Sequence, residues 1–476
     1  MRFSAARCRA FLSVSGTPFA VLALCGPAFA HASERGHVLL LPTQFYALGG
    51  AVAVAASFIA LVFLPPRTVA GLGERRLPLA NLPIDKRAAV SFLSFVFFTL
   101  LLYAGISGSR DPLANPLPLT VWTLLWVGLT LAHGLFGNLW GWLNPWYGPW
   151  TLFAHLTGRK TGWLKLPARL GYKPALLLLF AFAWFELIDT APDDPARLAA
   201  AALAYWLFAF AGMCLFGYEA WTGRMEFLSV FFRMLSRLSL FEARKTPKGL
   251  RLSLGLPGGK LMEAQPLPPS GVAFLLLGLA SVSFDGLMRT FFWLGLIGIN
   301  PLEFPGRSAV MWQNTLGLLA VFLCLGAAFA LATWAGERLA GGREWSRAAG
   351  LLVWSIVPIA LAYHFSHYLT ALLVNGQYAL AALSDPFFKG WNLFGTSIAH
   401  VDAGMVLGAR AAWVIWNAQA AAIVAGHVLA VVLAHAVAYR LYGSVRRASL
   451  SQIPMTVLMI GYTVFGLWLL STPTAG

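Results

Sequence analysis

The chain has 476 residues, of which 59% are hydrophobic and 11% are charged, and its formal net charge is +16. A soluble globular protein carries about 25% charged residues, so this composition excludes a soluble protein and predicts an integral membrane protein. The basic residues are concentrated in the connections between apolar runs, where they have a topological meaning. We therefore predict no nucleic-acid partner.

The first 30 residues are typical of a secretory signal peptide, with a basic start, an apolar core and small residues at the end. Cleavage is expected after Ala30, although the sequence A-H-A also permits cleavage after Ala32. Cleavage after Ala30 would expose His31 as an amino-terminal copper chelator, whereas the later cleavage would remove it. The mature chain thus has two candidate starts.

Ten apolar runs follow the signal peptide, each about 20 residues long and able to cross a bilayer as a helix. The predicted fold is therefore all-α, a polytopic transmembrane helical bundle that forms a single domain from residues 31–476. The predicted spans lie at 38–65, 88–107, 118–137, 173–190, 198–217, 271–298, 313–334, 349–374, 410–438 and 453–472.

The charges of the connections predict the orientation of these spans. A cleaved signal peptide leaves the mature N-terminus outside the cytoplasm, so the odd-numbered connections should be cytoplasmic. Each of them is rich in arginine or lysine, and the even-numbered connections carry balancing acidic residues. This agreement with the positive-inside rule predicts a multi-pass protein of the bacterial inner membrane, with both termini in the periplasm.

Two connections are long enough to have roles of their own. Residues 218–270 are predicted to form a cytoplasmic loop, whose segment M-E-F-L-S-V-F-F-R-M-L-S-R-L-S-L-F lies along the membrane interface as an amphipathic helix. Residues 375–409 are predicted to form a periplasmic cap, because loops of this length are often lids or binding elements. Cys214 and Cys324 lie in apolar runs, and no disulfide framework is indicated.

The run A-L-A-Y-H-F-S-H-Y places two histidines inside the predicted eighth span. Polar side chains in hydrocarbon need partners and usually face the interior of the bundle. His364 and His367 are three residues apart and therefore share one helix face, where they could bind one metal ion. Structural hydrogen bonding, haem ligation and proton relay remain open as alternatives.

The predicted sixth and ninth spans bring further polar groups to the same outer half of the membrane. In S-V-S-F-D-G-L-M-R-T, Asp285 and Arg289 are spaced to pair, and Gly286 favours a local helix distortion. The pair is either a buried structural ion pair or a functional one in which Arg289 binds an anionic oxygen. The ninth span supplies Trp413, Trp416, Gln419 and His427. We predict one polar pocket beneath the cap.

Several motifs resemble a known family. They include G-Y-K-P-A-L-L-L-L-F-A-F-A-W-F-E-L-I, S-V-S-F-D-G-L-M-R-T, H-Y-L-T-A-L-L-V-N-G-Q and D-P-F-F-K-G-W-N-L-F-G-T. They look like the bacterial membrane proteins called fenitrothion hydrolase, and the resemblance extends over nearly the whole mature chain. It implies a membrane-associated hydrolase of organophosphate triesters that releases a nitrophenol from a nitrophenyl thiophosphate. No catalytic residue is carried over.

The residues can be matched to that chemistry. Hydrolysis of a phosphotriester usually uses a metal ion to lower the pKa of a bound water to about 7. Imidazoles and a carboxylate suit a divalent metal ion, so we predict His364, His367 and His427 as its ligands. Asp285 would be a fourth ligand or base, and Arg289 would stabilise charge on the phosphoryl group.

The substrate would be a hydrophobic small molecule that partitions into the lipid bilayer. Trp413, Trp416 and Gln419 are predicted to line its pocket.

Two other classes of protein remain open. Ten spans could form a transporter with a five-plus-five inverted repeat, in which Gly49-Gly50 and S-F-D-G are paired helix discontinuities. Alternatively, histidines on facing helices could hold haem or copper in a redox membrane subunit. The sequence does not indicate whether a partner subunit is required.

Overall fold

The computed structural model describes residues 43–63, 76–82, 86–159, 161–246 and 249–474. The predicted signal peptide and His31 lie outside these residues. The helices are α1 (Thr43–Phe63), α2 (Arg87–Ser107), α3 (Pro116–Phe136), α4 (Tyr147–Thr157), α5 (Lys173–Leu187), α6 (Pro195–Phe216), α7 (Tyr218–Arg224), α8 (Phe227–Leu235), α9 (Pro269–Met288), α10 (Phe291–Leu296), α11 (Met311–Leu339), α12 (Trp345–Ser384), α13 (Ala409–Tyr442) and α14 (Val445–Ser471). One-turn helical segments lie at Trp140–Leu143, Ala168–Leu170, Ser236–Leu238, Gly259–Met262, Pro301–Glu303, Arg307–Val310, Ile398–His400 and Ala403–Val406.

Nine helices of the described chain are long and apolar enough to cross a membrane, which confirms an all-α polytopic bundle. They are α1, α2, α3, α6, α9, α11, α12, α13 and α14. The predicted fourth span corresponds to α5, which has only 15 residues. A helix of that length reaches about 22 Å, less than the about 30 Å of a typical hydrocarbon core. The protein is thus a multi-pass membrane protein, with one predicted span shorter than expected.

Helices α9 and α12 form the interior of the bundle. In each of them 78% of the most apolar stretch of 18 residues is buried, compared with 17% in α1. Helix α12 packs along α13, α3 and α9, and α9 also contacts α5 and α11. Helix α13 packs against α14, which also covers α1 and α11. Polar residues on the inner faces of α9 and α12 are therefore held by protein.

Helix α3 contains an unusual backbone segment. Asn115 caps its start by accepting a hydrogen bond from the backbone N–H of Leu117, at 3.0 Å. Residues Leu119–Leu129 are then wound as a π-helix before the α-helix resumes. Segments with π geometry are rare and are frequent at functional sites. This one packs directly against α12.

The segment predicted to lie along the membrane interface is instead α8, and it is buried inside the protein. Eight of its nine residues are buried, the exception being Arg233. Glu226 caps the helix by accepting hydrogen bonds from the backbone N–H groups of Leu228 and Ser229 and from the hydroxyl of Tyr205. The apolar side chains of α8 pack against α3, α5 and α12 rather than lipid.

A small antiparallel sheet was not predicted. Its strands are β1 (Arg76–Leu82), β2 (Phe241–Thr246) and β3 (Gly249–Gly255), in the order β1-β3-β2. Arg76 binds Glu242 and Glu263, each at 3.2 Å. The sheet therefore ties the connection that follows α1 to the connection that precedes α9.

The predicted cap at 375–409 begins as helix, because α12 continues to Ser384. We use the term cap for residues 385–408 alone. Gln377 at the end of α12 holds the cap in place: its Nε2 donates to the carbonyl of Asp402 at 3.2 Å, and its Oε1 accepts the backbone N–H of Asp402 at 2.9 Å.

The predicted helix distortion near Gly286 is absent, since α9 is continuous from Pro269 to Met288. Asp285 consequently lies one turn from the end of α9, and not midway along a span of residues 271–298. Gly49 and Gly50 also lie inside a continuous helix, α1. The discontinuities predicted at Gly49-Gly50 and at S-F-D-G are therefore missing, although the predicted sixth span is interrupted just after S-F-D-G, at Arg289 and Thr290 between α9 and α10.

Candidate functional site

An aspartate and a histidine meet where α9 packs on α12. Nε2 of His367 lies 2.7 Å from Oδ2 of Asp285, which is buried with 4% of its side chain exposed. An ionised carboxylate only accepts hydrogen bonds, so Nε2 carries the hydrogen and Nδ1 keeps its lone pair. Within the described ranges Nδ1 has no hydrogen-bond partner. His367 thus offers a nitrogen that can accept a proton.

His367 lines a cavity of about 80 Å³. Gly286 also lines the cavity, and a Cβ placed on it would lie 3.8 Å from Nδ1 of His367. The other wall residues with hydroxyl or amide side chains are Tyr363, Ser366, Thr370 and Gln419, and the apolar ones include Trp416 and Val406 of the cap. A buried water molecule needs about 10–15 Å³. The cavity therefore has room for several water molecules.

Tyr368 joins the aspartate to a second carboxyl group, that of Glu186 on α5. The Tyr368 hydroxyl lies 2.8 Å from Oδ2 of Asp285 and 3.0 Å from Oε1 of Glu186. The sequence analysis missed both Tyr368 and Glu186. The signal was present, since Glu186 is the one ionisable residue in the run A-L-L-L-L-F-A-F-A-W-F-E-L-I, and such a residue is by default a candidate for a functional site.

The position of Glu186 is fixed by the end of α5. Arg307 donates to the backbone carbonyls of Glu186 and Asp189, at 3.1 Å and 3.2 Å. These carbonyls belong to the last helical turn and its continuation, where intrahelical donors are missing. A guanidinium at this end also suits the helix dipole. Arg307 therefore anchors the turn that carries Glu186.

Arg289 follows directly after α9. Its Nη2 lies 3.7 Å from Oδ1 of Asp285, so the predicted pair is an ion pair without a close hydrogen bond. The Arg289 side chain is 52% exposed. Within the described chain, Oδ1 of Asp285 is buried and accepts no hydrogen bond. Most of the Arg289 donors are thus available to another group.

His364 lies next to this network but is used differently. Its Nε2 donates to the backbone carbonyl of Trp126 in the π-helical part of α3, at 2.9 Å. The imidazole packs edge-on against the Trp126 ring and tilted against Tyr368, with centroids 5.4 Å and 4.8 Å away. His364 therefore connects α12 to α3.

The three predicted metal ligands are not assembled. His427 is fully buried on α13, where Nδ1 donates to the Ile423 carbonyl at 2.8 Å. Across the part of the chain that the structure describes, no three His, Cys, Asp or Glu side chains are grouped to hold a metal ion. The residues His364, His367 and His427 do not fit such a site in this arrangement. The divalent metal ion stays a prediction, and we derive no step from it.

The predicted pocket residues separate into two groups. Trp416 and Gln419 line the cavity, whereas Trp413 is 53% exposed and does not. Gln419 and Ser366 are linked twice: Nε2 of Gln419 donates to the Ser366 carbonyl at 2.7 Å, and the Ser366 hydroxyl donates to the Gln419 carbonyl at 2.9 Å. This exchange fixes α13 against α12 at the cavity wall.

Comparisons of the chain with family models, with curated proteins and with solved structures find no match. The interpretation of the site therefore depends on its own geometry.

The geometry has the form of a general base. A carboxylate that holds one nitrogen of a histidine fixes the tautomer and orients the ring, so that the other nitrogen can take a proton. Once that proton has been taken, Asp285 stabilises the imidazolium of His367 by charge. A water molecule in the cavity is the group from which His367 can take it.

Proposed function

We propose that the protein is a membrane-embedded hydrolase of apolar organophosphate triesters of the fenitrothion type, in which His367 activates the attacking water. The observation that carries this proposal is the His367–Asp285 pair at the wall of the cavity. The resemblance of the sequence motifs to fenitrothion hydrolase supports the class of substrate. The membrane-spanning bundle also suits a substrate that dissolves in lipid.

In the proposed reaction, Nδ1 of His367 takes a proton from water while the water oxygen attacks phosphorus. The bond between phosphorus and the aryl oxygen breaks, and nitrophenolate leaves with the electron pair. The hydroxyl that remains on phosphorus loses its proton to solvent, as does the His367 imidazolium. Arg289 is half-exposed beside Asp285 and does not line the cavity. Once the substrate has opened the cavity, Arg289 would stabilise the negative charge that develops on the thiophosphoryl group.

Access of the substrate requires movement of the cavity wall. A cavity of about 80 Å³ holds water, whereas pockets for drug-sized ligands measure about 300–1,000 Å³. The cap contributes Val406 to the wall and is the least helical part of it. We propose that the cap is displaced when a triester enters from the bilayer. In this proposal α5 crosses the inner membrane as a short tenth span, so that the cap and both termini are periplasmic.

The test is release of nitrophenol from fenitrothion by the purified protein in lipid nanodiscs, followed by absorbance. Wild type is expected to release nitrophenol, and His367→Gln to be slower by about 10²–10⁴-fold, the usual contribution of a general base. His155→Gln is the matched control, because His155 is exposed on α4; it should retain the wild-type rate.

The outcomes separate the alternatives. Equal rates for wild type and His367→Gln, or no release by wild type, would overturn the proposal. Uptake of substrate into proteoliposomes without product would favour a transporter. A Soret band in the purified protein would favour a haem-binding redox subunit.

A further inference from the structure

Tyr368 contacts two carboxyl groups with a single hydroxyl hydrogen. Its oxygen lies within hydrogen-bonding distance of both Asp285 and Glu186. If both carboxyl groups were ionised, they would offer only acceptors, and one of the two contacts would bring lone pairs together. Both contacts are hydrogen bonds only when one carboxyl group carries a proton and donates it to the Tyr368 oxygen. The geometry therefore requires one protonated acid.

The surroundings of the two acids indicate which one is protonated. Asp285 accepts a hydrogen bond from His367 at 2.7 Å and has Arg289 at 3.7 Å, and both neighbours favour its ionised form. Glu186 forms no ion pair within the described residues. The proton therefore belongs to Glu186, which donates to Tyr368, while Tyr368 donates to Asp285.

We propose that Glu186 is a proton-binding site inside the bundle, and that it exchanges its proton with the cavity through Tyr368, Asp285 and His367. Glu186 does not line the cavity, whereas His367 does. The intervening contacts of 3.0 Å, 2.8 Å and 2.7 Å form a continuous chain of hydrogen bonds between them. The titratable and charged groups that act on Glu186 are Asp285, Arg289 and Tyr368, and Arg307 binds its backbone carbonyl. His364 and His367 lie one step further away, against Tyr368 and Asp285.

Each transfer in this relay breaks one O–H or N–H bond and forms another. Glu186 gives its proton to the Tyr368 oxygen while the Tyr368 hydroxyl proton moves to Asp285. Asp285 then protonates Nε2 of His367 as Nδ1 releases a proton to cavity water. The last transfer occurs in the tautomer of His367 that carries hydrogen on Nδ1, which forms when ionised Glu186 takes up a proton by the reverse path. In that path Nδ1 takes a proton from cavity water, Nε2 gives its proton to Asp285, and Asp285 protonates the Tyr368 oxygen as the Tyr368 hydroxyl proton moves to Glu186. The net result is one proton moved from Glu186 to water.

Infrared spectroscopy of the purified protein in nanodiscs, without substrate, tests the protonation of Glu186 independently of hydrolysis. Glu186→Gln should remove a C=O stretching component of a buried protonated carboxylic acid from the wild-type spectrum, and Asp285→Asn should retain it.

Glu337→Gln is the matched control. Glu337 is also buried, but its two hydrogen-bond partners both donate to it: the backbone N–H of Glu344 and the Tyr442 hydroxyl. Glu337 therefore needs no proton of its own. The Glu186-dependent component should therefore persist in Glu337→Gln. If Glu186→Gln removes no such component, or if Asp285→Asn removes it instead, the proposal is overturned.

Exchange into D2O tests the route. The Glu186 component should shift more slowly in Tyr368→Phe than in wild type, because Phe cannot pass the proton on. Tyr103→Phe, which alters an exposed tyrosine on α2, should exchange at the wild-type rate. An unchanged rate in Tyr368→Phe would show that solvent reaches Glu186 directly, and would overturn the relay.

Discussion

His367, with 21% of its side chain exposed, differs in its partner from the buried histidines of the described chain. His133 is held by the carbonyl of Leu129 and the N–H of Trp140, and His364 and His427 donate to backbone carbonyls. These contacts are to backbone groups only, and Nε2 of His427 and both ring nitrogens of the buried His435 have no hydrogen-bond partner within the described chain. Among the residues that the structure describes, His367 alone is paired with a carboxylate. Its environment is thus suited to stabilising a positive ring.

At the scale of single residues, Arg289 should affect turnover rather than binding of the triester. Arg289→Gln is expected to lower kcat by about tenfold or more, with a smaller change in KM, because the lost donors act on charge that develops in the transition state. Nitrophenol release at varied substrate concentration measures both constants. Arg410→Gln, at the exposed start of α13, is the control. A kcat for Arg289→Gln equal to that of Arg410→Gln would contradict the assigned role.

The sequence predicted part of the site because helical spacing shows which residues of one helix share a face. Asp285, His367, Trp416 and Gln419 are found around one cavity or beside it. Spacing within a helix cannot show how neighbouring helices are rotated against each other. For that reason His427 and Trp413, chosen on the same grounds, lie elsewhere. His427 faces a backbone carbonyl and Trp413 is exposed.

At the scale of elements, α8 shows a limit of apolar patterning. Its sequence predicts an amphipathic helix on the membrane surface, but its side chains are buried among α3, α5 and α12. Lipid and the interior of a membrane protein are similarly apolar, so the pattern does not distinguish between them. The small sheet was missed for a different reason, since its strands have only six or seven residues and lie in basic connections.

The buried carboxyl of Glu226 at the start of α8 should make the stability of the protein depend on pH. Burial raises the pKa of the Glu226 carboxyl, against the lowering effect of hydrogen bonds from Ser229 and Tyr205. An acid with a higher pKa in the folded state contributes stability below the pKa of the unfolded chain, about 4.3, and loses it as the pH rises through the folded value. The side chain in Glu226→Gln cannot ionise, so this variant should not lose that stability as the pH rises.

The measurement is Tm against pH for wild type and Glu226→Gln. The Tm of the variant minus that of wild type should increase as the pH is raised from about 4 to about 8. Glu219→Gln is the control, since the Glu219 side chain is 82% exposed; its difference from wild type should stay nearly constant. A difference for Glu226→Gln that does not change with pH would contradict the assignment.

At the scale of the whole molecule, the bundle followed from composition and from the length of the apolar runs. These quantities predict helices reliably because a lipid-exposed backbone must satisfy its own hydrogen bonds. They do not set the length of each helix, as the 15 residues of α5 show. The arrangement of α12 between α3, α9 and α13 depends on side-chain packing that a single sequence does not reveal.

The proposed orientation can be tested with single cysteines in spheroplasts. Lys389→Cys, in the cap, should react with a membrane-impermeant maleimide added outside. Arg343→Cys, in the basic connection between α11 and α12, should react only after permeabilisation. Wild type provides the background from Cys214 and Cys324, which lie on spanning helices. Labelling of Arg343→Cys in intact spheroplasts would contradict the proposed orientation.

The central claim is that Asp285 acts on the reaction through His367. A double-mutant cycle of nitrophenol release tests it most directly, with wild type, Asp285→Asn, His367→Gln and the double variant. Since Asp285 can only orient and stabilise a histidine that is present, we predict that each single variant is slow and that the double variant is no slower than His367→Gln. Rate losses that multiply in the double variant would contradict the claim, because the two residues would then act independently.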